Sequence, residues 1–168
     1  ARAQAAGFPG IHWVACMHGA GEAFAGDPSA YADAGFERMT LYTIQGQGPI
    51  YYQSGPASEI VDFAPELWDR FSMTPVLPVF CGWDNIWKGR TGVRRYGFSA
   101  DLFERHLSDA KTYMDATGTD SIVIDCWNEW GEGEILAPNA EHGFSRLRAI
   151  PKVFAPSEPL RPPVVPRD

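Results

Sequence analysis

The chain has 168 residues, with 21 acidic against 14 basic side chains and a net charge of −7. That length makes one domain with a real core, and an acidic balance without a Lys/Arg cluster argues against a nucleic-acid partner. No apolar run approaches the ~20 residues that cross a bilayer, no charged-then-apolar leader or initiator Met opens the chain, and the compartment is left open.

ARAQAAG reads as the last turns of a helix closed by Gly7 in the left-handed cap position, so something is expected to precede it. Ile11 to Cys16 is the first predicted strand. A loop with His18, two glycines and Glu22 leads to Asp27-Pro28-Ser29. There Asp27 as N-cap and Pro28 at the first helical position start a helix that ends at Gly35. Arg38 to Ile44 is the second strand, followed by a polar, Tyr-rich loop. Ser58 to Phe71 reads as largely helical, with a break or a second helix start expected at Pro65.

Thr74 to Phe80 is the third strand, its ladder made irregular by Pro75 and Pro78, and it runs into Gly82-Trp83-Asp84-Asn85. Ser99 caps a helix over 100–116, with Phe98 stapled onto Phe103. Leu102, Phe103, Leu107, Ala110, Tyr113 and Met114 form its buried stripe, and His106 in the same helix reads as a surface or packing residue. Ser121 to Trp127 is the fourth strand. A last helix over about Gly143 to Ile150 is limited by Pro151, and the tail from Pro156 is proline-rich and extended.

Helix, glycine, a short link and then a strand recur at Ala6-Gly7-Phe8, Ala34-Gly35-Phe36 and Thr117-Gly118-Thr119. Repeated strand-then-helix units imply a parallel sheet with right-handed crossovers. Long loops with Gly, Trp and charge follow strands, while the returns into strands are short. That is the asymmetry of a (β/α) barrel, which works at its strand carboxyl ends. About four βα units are visible, where a closed barrel takes eight in roughly 250 residues. The expected fold is α/β, a partial (β/α) TIM-type barrel with parallel strands over 1–155 and a tail over 156–168. An amino-terminal half-barrel or a second copy of the chain is the partner such a shape asks for, since a lone half-sheet leaves an edge exposed.

The stretch Ser121 to Asn139, SIVIDCWNEWGEGEILAPN, is where chemistry is expected. An apolar strand running into a Gly-broken, charged loop places catalytic groups above the carboxyl end of a sheet. Glu129 and Glu132 are close enough to converge on one small substrate, and Trp127 and Trp130 offer flat apolar faces of the kind sugars stack on. Asn128 adds a carboxamide. The plainer alternative is an exposed acidic loop anchored by two tryptophans. Trp83, Asp84, Asn85 and Arg90 after the third strand, His18 after the first and Tyr42 in the second complete the candidate site. Cys16, Cys81 and Cys126 each fall near a strand end, but their spacing is that of no zinc module, and no metal or cofactor is assigned.

WNEWGEG followed by Ile135, Leu136 and Pro138, with the upstream GWDN and Arg90, resembles the glycoside hydrolase family 99-like proteins. These are also called WbsX-like and have been labelled glycosyltransferases from polysaccharide gene settings. The resemblance runs from Gly7 to about Phe154. It implies an endo-acting, retaining hydrolase of α-mannoside-type linkages in a polysaccharide or oligosaccharide. By the same resemblance, Glu132 is the general acid for the departing oxygen and Glu129 the base that deprotonates the sugar 2-hydroxyl. That hydroxyl then attacks the anomeric carbon, an exception to the carboxylate nucleophile. Asp84, Asn85 and Arg90 then bind hydroxyls.

Three other readings stay open. Asn128-Glu129 as the acid/base pair of a different glycosidase needs a second catalytic Glu on a later strand, and none is visible. A non-catalytic glycan-binding domain would keep Trp83, Trp127 and Trp130 as its platform. A glycosyltransferase would call for a nucleotide-sugar site, and the sequence has no phosphate-cradling Gly loop of the usual kind.

Overall fold

The structure is a computed structural model that describes residues 2–18, 27–44 and 53–158. The first half of the chain contributes α1 (Arg2–Ala5), β1 (Val14–Met17), α2 (Pro28–Asp33), β2 (Arg38–Leu41), β3 (Gly55–Pro56) and α3 (Ala57–Trp68). The second half contributes β4 (Leu77–Phe80), a 3-10 helix (Ile86–Thr91), β5 (Arg95–Tyr96), α4 (Ala100–Thr117), β6 (Ile122–Asp125), β7 (Asn128–Glu129), β8 (Glu134–Ile135) and α5 (Ser145–Phe154). Glu22 and the Tyr-rich loop over 45–52 lie outside the described residues, as does the tail from 159.

The architecture is α/β with short parallel strands. β1 pairs with β2 in parallel, from Val14 opposite Arg38 to Met17 opposite Leu41. β4 pairs with β6 in parallel, from Leu77 opposite Ile122 to Phe80 opposite Asp125. A parallel bridge between Met39 and Pro75 joins these two ladders, so the strands lie in chain order. Pro75 lies outside this ladder and keeps only its bridge to Met39, whereas Pro78, expected to disturb the ladder, stands inside it opposite Val123. The two-residue strands β3 and β5 form a separate parallel pair.

The caps read from the sequence form. Asp27 accepts the amide of Ser29 at 2.9 Å and Pro28 opens α2. Ser99 accepts the amide of Leu102 at 3.1 Å, and Phe98 packs edge-on against Phe103 with ring centroids 6.0 Å apart. Gly35 and Gly118 turn left-handed after their helices, at φ +90° and +78°.

Pro65 and Pro151 behave differently from expectation, since each sits inside its helix, α3 and α5, without ending it. Each removes one amide donor late in the helix, and the loss is offset where the following turn is buried. In α3 that turn carries Leu67 and Trp68. The buried stripe of α4 is Phe103, His106, Leu107 and Ala110, with Leu102, Tyr113 and Met114 only partly covered.

The core lies on the helical side of the strands. Ala15, Met17, Met39 and Leu41 pack with Ile60, Phe63 and Leu67 of α3. Leu77, Val79 and Cys81 pack with Phe103, Leu107 and Ala110 of α4 and with Ala149 of α5. His106 is fully buried; its Nε2 accepts the amide of Phe80 at 3.1 Å and its ring stacks on Trp68. No helix among the described residues is long and apolar enough to cross a membrane.

Candidate active site

Because β1, β2, β4 and β6 run parallel, the segments that leave their carboxyl ends emerge on one side. His18 follows β1 and Tyr42 follows β2, their rings stacked 5.6 Å apart at 11°. Together with Thr43, Trp83, Asn85, Lys88 and Glu132 they line a cavity of about 360 Å³.

Glu132 is carried there on a loop clamped to the one after β4. The amide of Asp84 donates to the carbonyl of Glu132 at 2.7 Å. Gly133 passes so close that a Cβ on it would lie 2.7 Å from the Asp84 nitrogen, and its φ is +70°. Only glycine fits there. Trp87 Nε1 donates to the Gly131 carbonyl, and Lys88 Nζ lies 2.5 Å from Glu132 Oε1. Asn85 is buried, and its Oδ1 accepts the amide of Val93 at 2.7 Å. That bond folds the Ile86–Thr91 segment back over the cavity.

A second cavity of about 570 Å³ shares Trp83 with the first and is lined also by Asp84, Arg94, Tyr96, Trp130, His142 and Arg146. Asp84 pairs with Arg94 at 3.0 Å. Arg146 is buried, donates to the carbonyls of Cys81 and Ile135 at 3.2 and 2.6 Å, and lies over the Phe98 ring. Its second terminal nitrogen donates to His142 Nε2 at 3.0 Å. Burial, and then the charge of Arg146, hold the His142 imidazole below its ordinary range, which keeps it a neutral acceptor.

Of the residues singled out from the sequence, His18, Tyr42, Trp83, Asn85 and Glu132 therefore meet at one cavity, while Asp84 and Trp130 line the other. Glu129, Trp127 and Asn128 are exposed and line neither, and Arg90 is exposed in the 3-10 helix, also away from both. Glu129 sits on β7, directly opposite Glu134 of β8.

Sequence reasoning did not single out Lys88, Asp125, Glu134 or Arg146. Glu134 is 5% exposed and its carboxyl meets that of Asp125 at the end of β6. Burial pushes both carboxyls well above the ordinary range; the charge of Asp125 adds to this at Glu134, and that of Glu132 at Asp125. The Tyr42 phenol is raised by burial and then by Asp125, Glu132, Glu134 and Glu129, so it faces this acidic group. The signal that was available is Gly133 followed by Glu134-Ile135-Leu136, with Glu134 and Leu136 buried and Ile135 less so.

Cys81 Sγ accepts the amide of Cys126 at 2.9 Å, and burial raises the Cys81 thiol. Cys16 is exposed. Among the described residues no group of three or more His, Cys, Asp or Glu side chains is arranged for a metal ion.

A family model described as Glycosyltransferase WbsX matches residues 48–150. No curated protein and no solved structure matches the chain.

Proposed function

Since the chain belongs to the WbsX glycosyltransferase family, we propose that this carbohydrate-active domain is a retaining glycoside hydrolase of α-mannoside-like or related polysaccharide linkages. Glu132 is the general acid and Glu129 the base. The observation that carries this reading is Glu132 in one cavity with a stacked His18–Tyr42 pair, the Trp83 indole and the Asn85 carboxamide, at the carboxyl ends of parallel strands. Aromatic faces beside a few fixed polar groups suit a sugar ring.

In the proposed reaction Glu129 takes the proton of the substrate 2-hydroxyl and the 2-oxygen bonds to the anomeric carbon. The departing glycosidic oxygen leaves with the electron pair and takes a proton from Glu132. Water then opens the resulting anhydrosugar, giving a proton to Glu132 as its oxygen bonds to the anomeric carbon. Glu129 returns its proton to the 2-oxygen as that oxygen leaves the anomeric carbon, which restores both carboxyls. Trp127 and Trp130, both more than half exposed, extend an apolar platform for the chain outside the cavity. Asp84 and Asn85 bind hydroxyls at the two cavities, and Arg90 and Asn128, which line neither, bind those of the glycan chain outside them. The four parallel strands in chain order support reading residues 1–155 as part of a (β/α) barrel, which further strands or a second copy of the chain would continue from β1 and β6.

A screen of the purified protein against mannans and other polysaccharides, with Glu132→Gln in parallel, tests this. Release of reducing ends by the wild type, lost in the variant, is the expected result. A second reading, a non-catalytic glycan-binding domain, is favoured by Glu129 lying outside the cavity and by Lys88 already engaging Glu132. Glycan retention by both proteins with release by neither would select it. Activity that depended on a sugar nucleotide would select a transferase.

A further inference from the structure

We propose that Asp125 and Glu134 hold one proton between them and act as positioning residues for the hairpin that carries Glu129 and Glu132. Two carboxyl groups in contact offer only acceptors unless one keeps its proton. Glu134 is 95% buried by the complement of its 5% exposure, and no group donates to its Oε1. Among the described residues neither carboxyl pairs with a cation. The titratable groups that face the pair are Cys16 on β1, Tyr42 after β2, Cys81 after β4, Cys126 beside Asp125, and Glu129 and Glu132 on the hairpin. Two cations stand close by, but Arg146 bonds the carbonyls of Cys81 and Ile135 and the His142 ring, and Lys88 engages Glu132. Neither carboxyl of the pair therefore has a counter-charge bonded to it.

The position of the pair gives it a mechanical role. Asp125 ends β6, which is fixed to β4, and Glu134 belongs to β8, whose partner strand bears Glu129 at the facing register position. A shared proton ties the hairpin to the end of the sheet. Its loss places two like charges against each other in a dry site and drives hairpin and sheet apart, displacing both proposed catalytic carboxylates. The positioning role rests on the hydrolase reading; the shared proton does not.

The test is thermal unfolding of wild type, Glu134→Gln and Asp125→Asn from pH 7 to 9, together with the pH profile of glycan cleavage. Above pH ~5 an unfolded carboxyl has lost its proton while the folded pair keeps one, so folding binds a proton and stability falls as pH rises. The wild-type Tm is expected to drop by roughly 3–5 °C per pH unit. An amide in either position supplies an N–H that cannot be titrated, so the slope between pH 7 and 8 is lost in both variants, while the buried Cys81 thiol keeps a smaller slope toward pH 9. The alkaline limb of cleavage, about a tenfold fall in kcat/KM per pH unit for one ionisation, is lost with it.

A wild-type Tm that is flat over this range overturns the proposal without any variant. So does an undiminished slope in Glu134→Gln or, should that protein not fold, in Asp125→Asn. Magnesium or calcium that raised the Tm and removed the slope would assign the site to a metal and overturn it too. A protein that cleaves no glycan but shows the slope, and loses it in Glu134→Gln, supports the shared proton and removes the hydrolase reading instead.

Discussion

The amide of Asp84 and the carbonyl of Glu132 meet over 2.7 Å, and through that bond the loop after β4 sets the height of the loop after β6. The contact exists because Gly133, next in the chain, presents no side chain to Asp84. Gly133→Ala meets two penalties. Its left-handed backbone costs about 1–2 kcal/mol, and its methyl carbon must be moved away from the Asp84 backbone. Denaturant unfolding is expected to show a loss of at least about 2 kcal/mol. Glycan cleavage should fall further than stability alone explains, because Glu132 moves with the loop.

Arg146 fastens the same region from behind. Its guanidinium reaches Cys81 after β4, Ile135 on β8 and His142 before α5, while its plane covers Phe98. A lysine ammonium cannot reproduce that planar fork. Arg146→Lys is expected to lose about 2–4 kcal/mol by denaturant unfolding, because at least one buried carbonyl is left without a donor. An unchanged midpoint would mean that the carbonyls find other partners.

Lys88 is the cation closest to the proposed acid. The pair is partly exposed, at 37% and 26% of the two side chains, so it is worth only about 0–1 kcal/mol to folding. Its effect on placement is larger. Lys88→Met is expected to leave Tm within a few degrees and to lower kcat by about tenfold to a hundredfold, the scale at which a 1 Å displacement acts. A variant with wild-type kcat would show that Glu132 is held by the Asp84 clamp alone.

What could be read from the sequence follows from which forces are local. The strands after Gly35 and Gly118, the caps at Asp27 and Ser99 and the Phe98 staple depend on neighbours a few residues away, and all of them form. The meeting of His18, Tyr42, Trp83, Asn85 and Glu132 was legible because a parallel sheet sends every loop after a strand to one side. Burial set by distant elements was not. Glu134 is by type one more acid in an acidic loop, and only the fold sets Asp125 of β6 against it. A break at Pro65 and an end at Pro151 are what local geometry dictates, and neither occurs, because the packing that holds their helices together comes from other segments. Glu129 and Arg90 match the motif by type, yet the backbone carries them away from the cavity.

His106 belongs with these long-range features, because its partner, the Phe80 amide, lies 26 residues earlier. Complete burial, and then the Arg105 charge, push its imidazole down to about 3. The unfolded chain takes up a proton below about pH 6.5 that the folded chain refuses, so this histidine contributes stability above pH 6.5 that is lost as pH falls toward 3. The Asp125–Glu134 pair acts with the opposite sign over part of that range, since its proton uptake favours the folded state as pH falls. The two slopes offset each other in the wild type, and the comparison must be made against a variant. His106→Gln keeps an acceptor for the Phe80 amide but has no group to protonate, and it loses the stacking on Trp68. At pH 7.5 it is expected to be less stable than wild type by denaturant unfolding. Between pH 6.5 and 5 that gap should narrow by about 1.5 kcal/mol, a little less than one full proton over one and a half pH units because the unfolded imidazole is half protonated at pH 6.5. A gap independent of pH would mean that His106 is charged in the folded protein, which its place beneath Trp68 and behind Phe80 forbids.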